Sequence, residues 1–194
     1  TKYEIEDDSL KIFNLVDSTW KGIKIRSITP DTLTLEVNDT VYFKYARINY
    51  KTDKAQSFDM IIVSTSDCYG TCPISSTCID KYGNYIFYGQ NYTTKSGLYK
   101  TKTDQSLYLR IENNFKKADI NNLNENYWAN WTDDQTISVT FIKNNQIHKT
   151  VSDYGRQAPR EFYWACIQLQ YLYQRLNLKP FSANTTKPVF IVHT

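Results

Sequence analysis

The sequence predicts an α+β fold, an antiparallel β-sheet with two helices packed on one face, preceded by an N-terminal β-hairpin extension. Three observations carry this expectation. Short segments of period-two apolar alternation are joined by hairpin-length turns, which implies antiparallel pairing. Two later segments carry an apolar stripe of helical period on one side only, and each stripe has to be buried. The order is strands, helix, strands, helix, which suits two layers, with both helices on the same side of the sheet.

The elements follow in order. Residues 1–28 hold one strand-like piece, Ile23 to Ile28, and no strong helical period. "TLTLEV" alternates Leu33, Leu35 and Val37, and "TVYFKYARI" alternates Val41, Phe43 and Tyr45, with Asn38-Asp39 as the turn of a hairpin. The polar connector "NYKTDKAQS" separates this extension, residues 1–57, from a main domain at 58–194. "FDMIIVSTS" reads as a mostly apolar strand, and "SSTCIDKYGNYIFYGQ" as a hairpin about Tyr82-Gly83-Asn84. Asp104 is placed to cap a helix from Gln105, whose Leu107, Ile111 and Phe115 share a face. An asparagine-rich loop with two tryptophans follows, then a hairpin, "TISVTFIKNNQIHKTVSDYG", with "NNQ" at its tip. In the last helix Pro159 takes the first position, Glu161 lies in the first turn, and an apolar stripe runs from Phe162 through Cys166 to Leu176. "KPVFIVHT" reads as a final edge strand, since Pro188 cannot donate a ladder bond.

Composition narrows the function classes. The 194 residues are 41% apolar and 22% charged, with no run of the ~20 apolar residues a membrane helix needs. A net charge of +3, from 23 basic and 20 acidic residues scattered along the chain, is too mild for a nucleic-acid footprint. Thr1 in place of methionine suggests a processed chain, with a signal peptide or lipid-anchoring segment ahead of it as the one expected route to a membrane. Four glycosylation sequons, at Asn38, Asn91, Asn130 and Asn184, match what chance gives in a sequence this rich in Asn, Ser and Thr.

Chemistry concentrates in a few places. In "DCYGTCPIS" Cys68 and Cys72 stand four apart, and Gly70 and Pro73 argue against a helix. A disulfide across a tight turn is geometrically possible, and it would fix the turn locally. A redox centre asks for a low-pKa thiolate, usually at a helix start in C-x-x-C spacing, so the structural turn is the favoured reading. Zinc asks for four ligands; His148 and His193 are not at ligand spacing from the cysteines, so no metal is expected. Cys166 lies in the apolar stripe, and Cys78 lies on a strand the helix could cover; two buried thiols are slightly preferred to a second bridge. Asp133 and Asp134 precede a strand, where adjacent carboxylates point apart and read as a solvated turn. In "SDYGRQAPREF", Arg156 and Arg160 near a helix start could hold a carboxylate or phosphate with Tyr154 as a stacking wall, against a plain reading in which Gly155 turns, Asp153 caps and Pro159 begins the helix. Tyr127, Trp128 and Trp131 are either buried under the fold or offered to a partner. No nucleophile elbow, phosphate loop or His-Glu-x-x-His pattern occurs, and no cofactor is expected.

Residues 58–178, with "CYGTCPISSTCIDKYGNYIFYG" and "DDQTISVTFIKNNQIHKTVSDYGRQAP", resemble an uncharacterised bacterial family of unknown function marked by a C-[FY]-G-x-C-P motif and a later DYG-type loop. Its motif positions fall on Cys68, Gly70, Cys72 and Pro73, then Asp153, Tyr154 and Gly155; Cys78 departs from the family pattern, so no bond to it is implied. The resemblance implies an exported protein of the cell envelope, periplasmic or attached to the outer membrane, and often lipid-anchored. There the paired cysteines would be oxidised. The expected role is a non-catalytic binding or structural module for an unknown protein or small ligand. Two alternatives stand beside it: an immunity or inhibitor-type protein that blocks a toxin or enzyme, and an enzyme of thiol-disulfide exchange at Cys68 and Cys72.

Overall fold

The computed structural model describes residues 2–14 and 17–182, and the chain divides into two compact units, Thr1–Tyr50 and Lys51–Thr194. The strand expected at 187–194, with Pro188 and His193, and the sequon at Asn184 lie outside the described residues. Among the described residues the protein is mostly β-sheet, with two α-helices. Among the described residues no helix is long and apolar enough to cross a membrane.

The first unit is a five-stranded antiparallel sheet in chain order: β1 (Tyr3–Glu6), β2 (Ser9–Asn14), β3 (Thr19–Ile28), β4 (Thr32–Asn38) and β5 (Val41–Ala46). The expected hairpin is β4 and β5, and three more strands precede it. The strand-like piece expected at Ile23 to Ile28 is the second half of β3, which accommodates one extra residue at a register shift between Ile25 and Ser27. The β4–β5 turn also sits one residue later than expected, at Asp39-Thr40. Asn38 stays in the strand while its Oδ1 accepts the amides of Thr40 and Val41, each at 3.0 Å.

The second unit carries an eight-stranded mixed sheet. Its strands are β6 (Met60–Thr65), β7 (Ile74–Asp80), β8 (Asn84–Asn91), β9 (Gly97–Lys102), β10 (Asn126–Trp128), β11 (Thr136–Lys143), β12 (Gln146–Tyr154) and β13 (Lys179–Pro180), in the spatial order β10-β12-β11-β6-β7-β8-β9-β13. Every pairing is antiparallel except β10 with β12. The turn chemistry is legible in the residues: Asn144 and Asn145 both take positive φ, as the two-residue β11–β12 hairpin demands. Gly83 turns β7 into β8 at φ 81, where a Cβ would lie 2.3 Å from the Thr103 carbonyl.

Register explains the core. Ile61 and Val63 of β6 face Ile79 and Thr77 of β7, which face Tyr85 and Phe87 of β8, while Val139 and Phe141 of β11 complete the rows on the other side. All are buried. Helices α1 (Gln105–Lys116) and α2 (Arg160–Gln170) contribute buried residues to the same core, with Phe115 edge-on to both Phe141 and Phe162. The stripe expected to continue to Leu176 leaves the α-helix at Tyr171 and tightens into a 3₁₀ turn, Leu172–Gln174. That turn brings Tyr173 flat against Phe87, with ring centres 4.0 Å apart.

One polar cluster is buried with this core. Glu112 and Lys116, one helical turn apart on α1, form an ion pair at 2.9 Å with side chains only 5% and 8% exposed. Glu112 Oε1 also accepts the Phe58 amide at 2.8 Å, and the Tyr108 hydroxyl sits between that oxygen and the Phe58 carbonyl. The start of the sheet is thereby fastened to α1 by a carboxylate. Removing one partner of a buried pair strands the other charge. Glu112→Ala should therefore cost about 3–5 kcal/mol in urea unfolding followed by tryptophan fluorescence. A loss under about 1 kcal/mol would mean that Lys116 reaches water on its own.

Candidate functional site

Three loops meet at one end of the large sheet. The first, between β6 and β7, holds the disulfide; the second runs from Trp128 at the end of β10 through Trp131 to β11; the third leaves β12 after Asp153-Tyr154 and runs from Gly155 to α2.

Cys68 and Cys72 are bonded, with Cα atoms 5.8 Å apart, inside the ordinary range for a disulfide. Both are half-buried, while Tyr69 between them is 88% exposed. The loop is tied down at both ends. Gln135 Nε2 donates to the carbonyls of Ser66 and Pro73, at 2.8 and 2.9 Å, and Thr65 Oγ1 donates to Pro73 at 2.7 Å. The Tyr69 amide reaches the Asp133 carbonyl at 3.3 Å. The disulfide loop and the tryptophan loop are thus one hydrogen-bonded unit.

The third loop holds the second in place. Asp153, 2% exposed, accepts the amides of Gln157 at 2.7 Å and Ala158 at 3.0 Å on one carboxylate oxygen. Burial pushes its carboxyl above the ordinary aspartate value and the charge of Asp134 adds to this, against the two amides and Arg156, which favour the ionised form. Next to it the Tyr154 hydroxyl accepts the Asp134 amide at 3.2 Å, and the Tyr154 carbonyl accepts the Ala129 amide at 3.1 Å. Gly155 follows at φ 71, where a Cβ would lie 2.5 Å from the Ala129 Cβ and 3.2 Å from the Trp131 ring. Only glycine allows that approach.

On this support the aromatics face outward. Trp128, 74% exposed, stacks on Tyr154 with ring centres 4.6 Å apart, and half-exposed Trp131 points its indole N–H at Asp134 Oδ2, 3.4 Å away. Trp128, Trp131, Tyr154 and Asp134 therefore come together, and Tyr127 is half-buried against the core. Asp133 is joined to the disulfide loop through its backbone, and its carboxylate accepts from Thr132 at 3.2 Å. Trp128 covers one face of the Tyr154 ring, the residue weighed as a stacking wall for an anion. Arg156 turns instead over Tyr163, 5.3 Å from its ring centre, and Arg160 is exposed at the first position of α2.

The remaining cysteines are free thiols, and no second bridge joins them. Strand alternation is the physical reason: Cys78 pairs across the sheet with Ile62 and Ile86, on the face opposite Ile61, Thr77 and Ile79, whereas Cys166 lies in the core with α2. Burial pushes the Cys78 thiol up to about 12 and the Cys166 thiol well above its usual value, so neither is a nucleophile near neutral pH. Sequence reasoning passed over Tyr69 and Gln135. Tyr69 could have been found as the middle of the motif; Gln135 carries no local signal, since its partners are 62 and 69 residues away.

A protein-family model described as "Domain of unknown function (DUF6438)" matches residues 59–173, more than half of the chain, and the chain belongs to that family. No curated protein and no solved structure matches it.

The Asp153 arrangement sets a pH dependence. A carboxyl whose folded pKa lies above its unfolded one is penalised while ionised, so the penalty is full above the folded value and is relieved as pH falls towards the ordinary aspartate value. Wild type should therefore gain stability relative to Asp153→Asn as pH is lowered from neutrality into that window, in urea titrations at each pH. Asp153→Ala, which leaves two amides without an acceptor, should cost about 2–3 kcal/mol near neutral pH, and the cost should grow as pH falls into that window. A flat difference between wild type and Asp153→Asn would show that the carboxylate is solvated.

Proposed function

We propose that this DUF6438 member is a non-catalytic binding domain of the bacterial cell envelope, exported to the periplasm or the outer-membrane surface, and that its partner docks on the aromatic end of the large sheet. The observation that carries the proposal is the convergence of three loops to present Tyr69, Trp128 and Trp131 on a rigid support. Aromatic anchors held in place ahead of binding lose little entropy when a partner arrives, which is how a small surface reaches useful affinity. An oxidised cysteine pair supports the extracytoplasmic location. Both helices are read as covering one face of the sheet, supported by Phe115 meeting Phe141 and Tyr173 meeting Phe87. That leaves the loop end as the place for recognition.

An immunity or inhibitor-type role is the second reading. It is favoured by the carboxylates of Asp133 and Asp134 beside Trp131, a mixed acidic and aromatic patch suited to a basic target. Thiol-disulfide exchange has less support: Cys68 and Cys72 lie between two strands, away from any helix start that would lower a thiol pKa.

The test uses immobilised full-length protein and a bacterial envelope extract, read by biolayer interferometry. Wild type should show saturable binding, Trp128→Ala/Trp131→Ala should weaken it by tenfold or more, and Cys68→Ser/Cys72→Ser should change it by less than the tryptophan pair. Equal binding by the tryptophan variant would refute the site. Disulfide reductase activity that vanishes in the cysteine variant would replace binding with exchange chemistry.

A further inference from the structure

The first unit, taken by itself, is one sheet with two unlike faces. Register puts Tyr3 opposite Ile12, and Ile5, Leu10 and Ile23 in one row; Ile25, Leu35 and Phe43 make the next, and Ile28, Leu33 and Tyr45 the last. The opposite face carries Glu4, Glu6, Lys11, Lys24, Glu36 and Lys44, with Phe13, Trp20 and Tyr42 among them. It is internally neutralised: Lys11 pairs with Glu6, and both Lys24 and Arg26 lie 3.9 Å from Glu36. Arg26 also covers the Tyr42 ring at 4.4 Å.

A sheet that is apolar on one face has to bury that face against another layer. Among the described residues of this unit there is neither a helix nor a second sheet. Tyr3, Ile5, Ile28, Phe43 and Tyr45 are all exposed, and Ile5 and Tyr3 are 60% and 73% accessible. Between them Leu10, Ile12, Ile23, Ile25 and Leu33 are half-buried and Leu35 is buried. Scattered exposed apolar residues are ordinary, but five on one face of one sheet mark an interaction surface.

We propose that this face is covered by the same face of a second copy of the chain, so that two five-stranded sheets pack about a two-fold axis as a β-sandwich. Size and chemistry both favour this occupant. Five strands at ~4.8 Å spacing and about six residues at ~3.3 Å make a face on the order of 500 Å². Two such faces bury on the order of 1,000 Å², the lower limit for a specific interface. The rows bear no net charge that would select an acidic or basic partner, and Lys21 at their margin is paired with Asp17 at 3.0 Å. An uncharged face made of strands is complementary to itself, as a two-fold contact requires.

The experiment is light scattering coupled to gel filtration on the full chain across micromolar concentrations, with circular dichroism to verify folding. Wild type should be a dimer. Phe43→Lys, in the middle row, should raise the dissociation constant by tenfold or more while keeping the wild-type spectrum, and Lys44→Glu, its neighbour on the opposite face, should leave the dimer unchanged. Should Phe43→Lys fail to fold, Ile5→Lys in the outer row provides the same comparison. A wild-type monomer at every concentration overturns the proposal. So does a dimer that survives both apolar-face substitutions, or a monomer that binds phosphatidylethanolamine–phosphatidylglycerol vesicles through this face.

Discussion

A buried carboxylate at the end of β12 is the constraint on which the recognition end of this protein depends. Asp153 is removed from water, and that is unfavourable unless the charge or its lone pairs are satisfied. The amides of Gln157 and Ala158 do so, and in doing so fix the path of the chain from the last long strand into α2. Once that path is fixed, Tyr154 and Gly155 can be only where they are. The Tyr154 hydroxyl and carbonyl then hold Asp134 and Ala129, and the bare Cα of Gly155 admits the Trp131 ring. The disulfide loop joins the same assembly through Gln135 and Asp133. Exposed tryptophans on a long loop would ordinarily be mobile; here polar groups behind them take that freedom away.

The two units solve the problem of an amphipathic sheet differently. In Lys51–Thr194 the apolar face lies in one continuous core with helix residues, knitted by aromatic edges and faces. In Thr1–Tyr50, Leu35 is the one buried hydrophobic residue of the apolar face, and the rest of its apolar rows reach the surface. Polar satisfaction differs as well. The large unit places an ion pair and a lone carboxylate in its interior, where losing one partner is costly, while the small unit keeps its ion pairs on an exposed face, where each contributes little.

Much of the large unit was legible in the sequence, because its signals are local. Ile137, Val139 and Phe141 alternate as a half-buried strand must, Asn144-Asn145 is a hairpin turn by residue type, and Ile111 and Phe115 mark one side of a helix. Other features were hidden where a signal depends on distant partners or is broken by an insertion. The three residues of β10 sit in a polar loop and become a strand only by pairing with Ser152–Tyr154. β9 is too mixed to show a face, and of β3 only the Ile23–Ile28 half was legible. At the site, the cysteine motif, the tryptophans and the Asp-Tyr-Gly loop each stood out as residues. Their meeting at one end of the sheet did not, since strand order decides it and no local pattern encodes strand order. The Tyr154 ring illustrates the gap: its chemistry suggested a wall for a ligand, and its neighbour across the parallel pair turned out to be Trp128.

The Asp153-Tyr154-Gly155 turn positions the tryptophans. The most direct measurement is the two-dimensional NMR spectrum of Gly155→Ala, in which the added methyl group meets Ala129 and Trp131. The indole N–H signals of Trp128 and Trp131 should shift and broaden while the methyl signals of core residues such as Ile61 and Val139 stay at their wild-type positions. Unmoved indole signals in the folded variant would contradict the account.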